Sequence, residues 1–155
     1  MAAVRTAFPE ASLPDLDGTA RPVSDAWAAG PALIVIGHTE CGTTRLTLPY
    51  LDRLDRQRAP GAAVRAILQD DPASARAFAD ELGLRLPVLL EPDPYALSAA
   101  LGLGTVPTIF LVEPDGAIAE RSEGFRRDAL ERLAQRLGVA TLFTAADAAP
   151  PLRPG

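Results

Sequence analysis

The sequence predicts one α/β domain built on a mixed β-sheet, with helices on both faces. Short β-branched apolar runs alternate with helical patterns between residues 32 and 102. The first run, "ALIVI" at 32–36, is apolar throughout, as in a strand covered on both faces. Beyond residue 107 the order changes to two strands joined by a tight turn and then a helix, which adds antiparallel pairing to the sheet. At 155 residues, 48% hydrophobic and 23% charged, the chain has the size and composition of a single domain with its own core.

Residues 1–30 are turn-rich, and "PDLDGTARPV" reads as a short hairpin around Asp17–Gly18. After the strand at 32–36, a helix is expected from about Cys41 to Arg58, with Leu48, Leu51 and Leu54 inward and Pro49 kinking it. "AAVRAILQ" is the next strand. Asp71–Pro72 then supplies an N-cap with proline at the first helical position, and Gly83 ends that helix. "LPVLL" is a third strand, and Asp93–Pro94 repeats the cap signal for a short helix ending near Gly102. "TIFLV" and "AIAERS" flank the turn "EPDG" as a hairpin. A C-terminal helix runs from Arg127 to Leu137 and stops at Gly138. The rest, "VATLFTAADAAPPLRPG", is so rich in alanine and proline that the expected division is a domain over 1–138 and a tail over 139–155.

Net charge is −5, and all fifteen basic residues are arginine. Absent lysine removes Walker-type phosphate loops and Schiff-base chemistry. With no basic block and no interleaved aromatics, nucleic acid is not an expected partner. No apolar window reaches the length of a membrane span, so no membrane partner is expected either. The opening residues lack an apolar segment of signal-peptide length, and a single cysteine suits a reducing compartment; the expected location is cytoplasmic. No cofactor and no metal are expected.

Chemistry concentrates in "GHTECGTTRLTLP", residues 37–49, which holds the only cysteine and the only histidine. A thiol in the first turn of a helix, just past a strand, meets free backbone N–H groups and the positive end of the helix dipole. Both favour the thiolate, the form that attacks disulfides and peroxides. The hydroxyl of Thr44, one turn on, is placed to reach back toward the sulfur, much as in a capping box. Glu40 disfavours a thiolate beside it, whereas His38 would favour one if protonated. Against this stands a buried structural cysteine, the ordinary state of a lone cysteine. Metal ligation by His38 and Cys41 lacks further soft ligands. "QDD" at 69–71 reads as a strand end and a helix cap.

The segment "ALIVIGHTECGTT" resembles the active-site segment of the thioredoxin superfamily, in which a Cys-x-x-Cys pair opens a helix after a central strand. Pro49, eight residues past Cys41, matches that family's helix proline, and Val106–Pro107–Thr108 matches the cis-proline that faces the cysteine. The strand–helix unit at 63–90 and the leading "FPEASLPDLDG" are similar to those of TlpA-type disulfide reductases and peroxiredoxins. The likeness covers about residues 8–137. It implies a thioredoxin-like fold, a role in redox homeostasis, catalysis by Cys41, Thr44 and Pro107, and substrate contacts from Gly42, Thr43, Thr105 and Val106. His38, Thr39 and Glu40 are implied as modulators. The chain departs from the family pattern in three places. Thr44 replaces the second cysteine, Glu40 replaces the usual tryptophan, and Val35 replaces the buried acidic residue. Peroxiredoxins carry threonine where His38 stands.

The expected function is thus that of a TlpA-like redoxin with a single active cysteine. It would form mixed disulfides with a protein client or a small thiol such as glutathione. A one-cysteine thiol peroxidase and a redox-inactive binding module remain as alternatives.

Overall fold

The computed structural model describes residues 6–155. Residues 1–5, part of the opening stretch on which the expected location rests, lie outside the described residues. Strands β1 (Ser12–Pro14) and β2 (Ala20–Pro22) form the small hairpin, its turn stapled by the Asp15 carboxylate, which accepts from the N–H groups of Asp17 and Thr19. A 3-10 turn, Val23–Trp27, leads into the central strand β3 (Ala32–Gly37). Helix α1 (Gly42–Gln57) follows and runs through Pro49; then come β4 (Ala63–Leu68), α2 (Pro72–Leu82) and β5 (Val88–Leu90). The chain continues with α3 (Ala96–Ala100), β6 (Thr108–Val112), β7 (Ile118–Glu123), β8 (Phe125–Arg126), α4 (Arg127–Arg136) and β9 (Leu152–Arg153).

The main sheet has the order β5-β4-β3-β6-β7. Pairing is parallel from β3 through β4 to β5 and antiparallel from β3 through β6 to β7, which makes the sheet mixed. Strand residues divide by parity between its two faces, as the pleat requires. Leu33, Val35, Val64, Ala66, Ile109 and Leu111 pack with residues of α1, α2 and α4, including Leu48, Leu51, Phe78 and Leu130. Ile34, Ile36, Ile67 and Phe110 pack with Phe8, Trp27 and Leu97 on the other face. Phe8 meets Trp27 and Phe110 edge-on at centroid distances of 5.4 and 5.6 Å.

Two expectations are corrected. Asp93–Pro94 does not cap α3: the helix begins later, at Ala96, after Tyr95 has taken a left-handed conformation with φ 59°. Asp71 does cap α2, accepting from the Ser74 N–H at 2.8 Å. The boundary at residue 138 is likewise no break in the packing. Val139, Leu142 and Phe143 are buried in the core shared with α1 and α4, and β9 pairs with β8. Only a few apolar side chains anchor this segment, at irregular spacing, so its composition hides them.

A buried-edge ion pair fixes the same segment. Arg53 on α1 grips both oxygens of Asp147 at 2.8 and 3.0 Å, and Asp147 also accepts from the N–H and hydroxyl of Thr144. The Arg53 guanidinium, followed by the Thr144 N–H, holds this carboxyl well below the usual carboxylate range. A depressed carboxylate contributes stability that is fully present above its unfolded value, about 4, and is lost as pH falls through the folded value. Asp147→Asn is therefore destabilising at pH 7, and its penalty shrinks below about pH 4. Urea titrations of both proteins at pH 7 and pH 3 check this; an equal penalty at the two pH values contradicts it.

Candidate active site

Strand β3 ends at Gly37, a position with no room for a side chain because a Cβ would fall 2.6 Å from Thr44 Cγ2. That close approach seats the fully buried Thr44 against the strand end, where its Oγ1 accepts from the His38 N–H at 3.4 Å. The hydroxyl proton is left free to turn toward Cys41. The loop between strand and helix is anchored by Asp70, whose carboxylate accepts from the Thr39 N–H at 3.0 Å and the Thr39 hydroxyl at 2.7 Å. His38 is tied into the same anchor. Its Nδ1 accepts from the Glu40 N–H at 3.1 Å, which leaves the proton on Nε2, 3.5 Å from Asp70. Both ring nitrogens are thus committed to the loop.

Cys41 is the N-cap residue of α1 and half-buried. Burial of the sulfur pushes the thiol up. Acting against it are the Thr44 hydroxyl, the backbone N–H groups of Thr44 and Thr43, and the positive charge of Arg153. The net result is a thiol held below its ordinary value. This is the response expected of a sulfur at an unpaired helix start.

The opposite wall comes from the loop before β6. The Val106–Pro107 bond is cis, and the Cys41 Sγ donates to the Val106 carbonyl at 3.5 Å. Thr105 is fixed by its carbonyl, which accepts from the Thr108 hydroxyl at 2.8 Å. Cys41, Gly42, Thr43, Thr44, Thr105, Val106 and Pro107 therefore form one cluster, whereas His38 and Thr39 face Asp70 and Glu40 is exposed. The segment 151–155 was not foreseen here. The Pro154 carbonyl accepts from the Thr43 hydroxyl at 2.6 Å, and the Arg153 guanidinium lies against Gly42, where a Cβ would come within 2.5 Å of it. Asp70 was also missed; in "QDD" it is indistinguishable from the cap beside it. Among the described residues, no three His, Cys, Asp or Glu side chains gather as metal ligands.

A family model for the AhpC/TSA family matches residues 4–121. The chain belongs to the AhpC/TSA family. Among curated proteins, this AhpC/TSA chain is 28% identical to the thiol-disulfide oxidoreductase ResA of Geobacillus thermodenitrificans, over 75% of its own length and 67% of that protein's. Two further ResA proteins are matched over 64% of their length, so the chain spans about two thirds of these relatives. Among solved structures, a Chlorobium tepidum protein assigned as a thiol:disulfide interchange protein DsbE superposes with a TM-score of 0.77. It is 23% identical, with 88% of this chain and 96% of that one covered. A secreted Mycobacterium tuberculosis disulfide oxidoreductase superposes with a TM-score of 0.67 at 15% identity, over 83% of this chain and 94% of that one. The fold is therefore the α/β thioredoxin-like one, and the chain is a redoxin of the thioredoxin superfamily, similar to proteins named as thiol-disulfide oxidoreductases.

The expected cytoplasmic location is overturned. The relatives in this group are ResA proteins, and the similar structures include a secreted enzyme. A single cysteine forms no internal disulfide in any compartment, so cysteine count never distinguished the two. Among the described residues, no helix is long and apolar enough to cross a membrane.

Proposed function

We propose that this chain is a monothiol oxidoreductase that works through mixed disulfides on Cys41. The observation that carries the reading is a half-buried thiol at the N-cap of α1, 3.5 Å from the Val106 carbonyl, with threonine and not cysteine at residue 44. The Cys41 thiolate attacks one sulfur of a disulfide; a new S–S bond forms and the other sulfur leaves as a thiolate, which takes a proton from water. An external thiol then attacks the mixed disulfide, releases Cys41 and retains the client sulfur in a new disulfide. The sum of the two steps is an exchange: one client sulfur leaves as a thiol, the external thiol's sulfur takes its place in the disulfide, and a second thiol equivalent is needed to reduce the client fully. Thr44, with the N–H groups of Thr43 and Thr44, holds the thiolate, and Val106 and Pro107 form the wall against which the disulfide lies. Partners of this chemistry are a protein disulfide or a small thiol of the glutathione type. Likeness to enzymes named as thiol-disulfide oxidoreductases supports the same reading.

Mass spectrometry after exposure to glutathione disulfide tests it: a single adduct is expected on Cys41 and none on Cys41→Ser. No adduct under conditions that modify a free cysteine would leave a binding module as the better account. Rapid sulfenic acid formation with hydrogen peroxide, faster than disulfide attack, would instead point to a one-cysteine peroxidase.

The pH dependence has a definite sign. A thiol below its ordinary value keeps its thiolate, and its reactivity, further down in pH than a free cysteine, whose midpoint is about 8.5. Iodoacetamide rates against pH should show a midpoint under that value. Thr44→Val, which removes the hydroxyl, should raise it. A midpoint of about 9 or more would remove the reactive thiol from the account.

A further inference from the structure

We propose that Arg153 and the segment carrying it are the specificity determinant of the Cys41 site, selecting small anionic disulfides over extended polypeptides. The inference rests on the thiol–disulfide reading above and adds to it the class of disulfide accepted.

The segment is held across the site by contacts along its whole length. The Arg127 N–H donates to the Pro151 carbonyl at 3.0 Å, Leu152 and Arg153 pair antiparallel with Arg126 and Phe125, and the Thr43 hydroxyl holds the Pro154 carbonyl. Gly155 then reaches the far wall. A Cβ on it would collide with the Val106 carbonyl and the Thr105 hydroxyl. An extended client recognised by strand addition needs this edge, since its main chain has to lie beside the backbone around the cis-proline. The chain's own Gly155 already lies there, carried in by Arg153 and Pro154 packed beside Gly124 and Thr43. A disulfide of a few atoms' width needs only the half-exposed sulfur, not the edge.

Charge gives the second half. Arg153 is exposed, and among the described residues no carboxylate pairs with it. Its guanidinium rests on Gly42, the residue next to the nucleophile, so no larger residue fits at 42 without displacing it. His38 faces Asp70, and Glu40 is exposed on the loop. A planar cation with free donors beside a reacting sulfur is a seat for a carboxylate. The α1 start adds the same sign of potential. The net charge of the chain, −5, works against any anion, so selection for one has to be local.

The test compares three disulfides on the whole protein, on Arg153→Gln and on a chain with residues 151–155 deleted. They are glutathione disulfide, which carries carboxylates; cystamine, which carries only ammonium groups; and a linear peptide whose central cysteine is bonded to 2-nitro-5-thiobenzoate. Each rate is divided by the iodoacetamide rate of the same protein, which cancels changes in thiolate fraction. Arg153→Gln should lower the glutathione disulfide to cystamine ratio by about threefold, the scale of one exposed charge contact. Deletion should raise the peptide rate by about tenfold if the segment is closed in about nine molecules of ten. A ratio indifferent to Arg153, or a peptide rate indifferent to deletion, overturns the inference while the redox reading stands. No adduct from any of the three overturns both. Arg153→Gln changes an exposed side chain only, so the charge arm remains decisive even if the deleted chain folds poorly.

Discussion

Thr44→Cys is expected to convert Cys41 from a thiol that stalls as a mixed disulfide into one that turns over. On the proposed mechanism, the adduct formed with glutathione disulfide in the natural chain should persist until an external thiol arrives, at a rate set by that thiol's concentration and thiolate fraction. A thiol introduced at residue 44 competes intramolecularly. Residues three apart at a helix start fall within the Cα separation of about 4.4–6.8 Å that a disulfide needs. Well-oriented intramolecular groups reach effective molarities on the order of 10⁵ M, against about millimolar for a free thiol, so the intermediate should vanish rather than accumulate. The site has room for the change. Cysteine lacks the Cγ2 that crowds Gly37, and the main loss is the acceptor for the His38 N–H, about 1 kcal/mol. Mass spectrometry reads the outcome directly: the glutathione adduct is replaced by a product two hydrogens lighter than the reduced protein. With dithiothreitol supplied, the variant should reduce glutathione disulfide with turnover. An adduct as long-lived in Thr44→Cys as in the natural chain would mean that the helix start holds the two positions apart.

The sheet and α1 were legible because "ALIVI" and the leucines of α1 leave local apolar and periodic marks. The wall loop left none of that kind; Val106 and Pro107 were set beside Cys41 only by the resemblance of Val106–Pro107–Thr108 to the thioredoxin-superfamily segment. Other features depend on partners far along the chain and leave no such mark. Asp52 reads as a solvated helix residue, yet it is buried and accepts from the Arg85 and Leu86 N–H groups at 2.7 and 2.9 Å. Its reason lies in a loop, not in α1. Asp70 anchors the active-site loop from the end of β4. Arg153 sits on a two-residue strand, too short to show a period, inside a proline-rich stretch whose composition argues for a tail. His38 shows the opposite failure. Its closeness to Cys41 in sequence suggests a modulator, and local backbone geometry turns it toward Asp70 instead.

Phe143→Ala should have the largest effect on stability of any change within residues 139–155, because it removes the side chain that makes this segment part of the domain. Phe143 is 6% exposed, with ring centroids 4.7 Å from Tyr50 and 6.1 Å from Phe125, and the Arg127 guanidinium lies 4.8 Å above its ring. Phenylalanine truncations in cores cost about 3–5 kcal/mol. This ring lies at the edge of its cluster, so the lower end applies, about 3 kcal/mol. For a chain of this size that lowers Tm by about 6–12 °C. A tail merely resting on the surface predicts a change within about 1 °C. Phe143→Leu should recover most of the loss, since it refills much of the cavity. The same ring connects stability to the site. Phe125 is its neighbour and the partner of Arg153 in the β8–β9 pair, and Arg127 carries both the cation over the ring and the N–H that holds Pro151. Loosening Phe143 therefore loosens the segment that covers Cys41, and the truncated protein should react faster with the nitrothiobenzoate peptide at temperatures where it is still folded. A lowered Tm with an unchanged peptide rate would show that the core under the segment and the segment itself move independently.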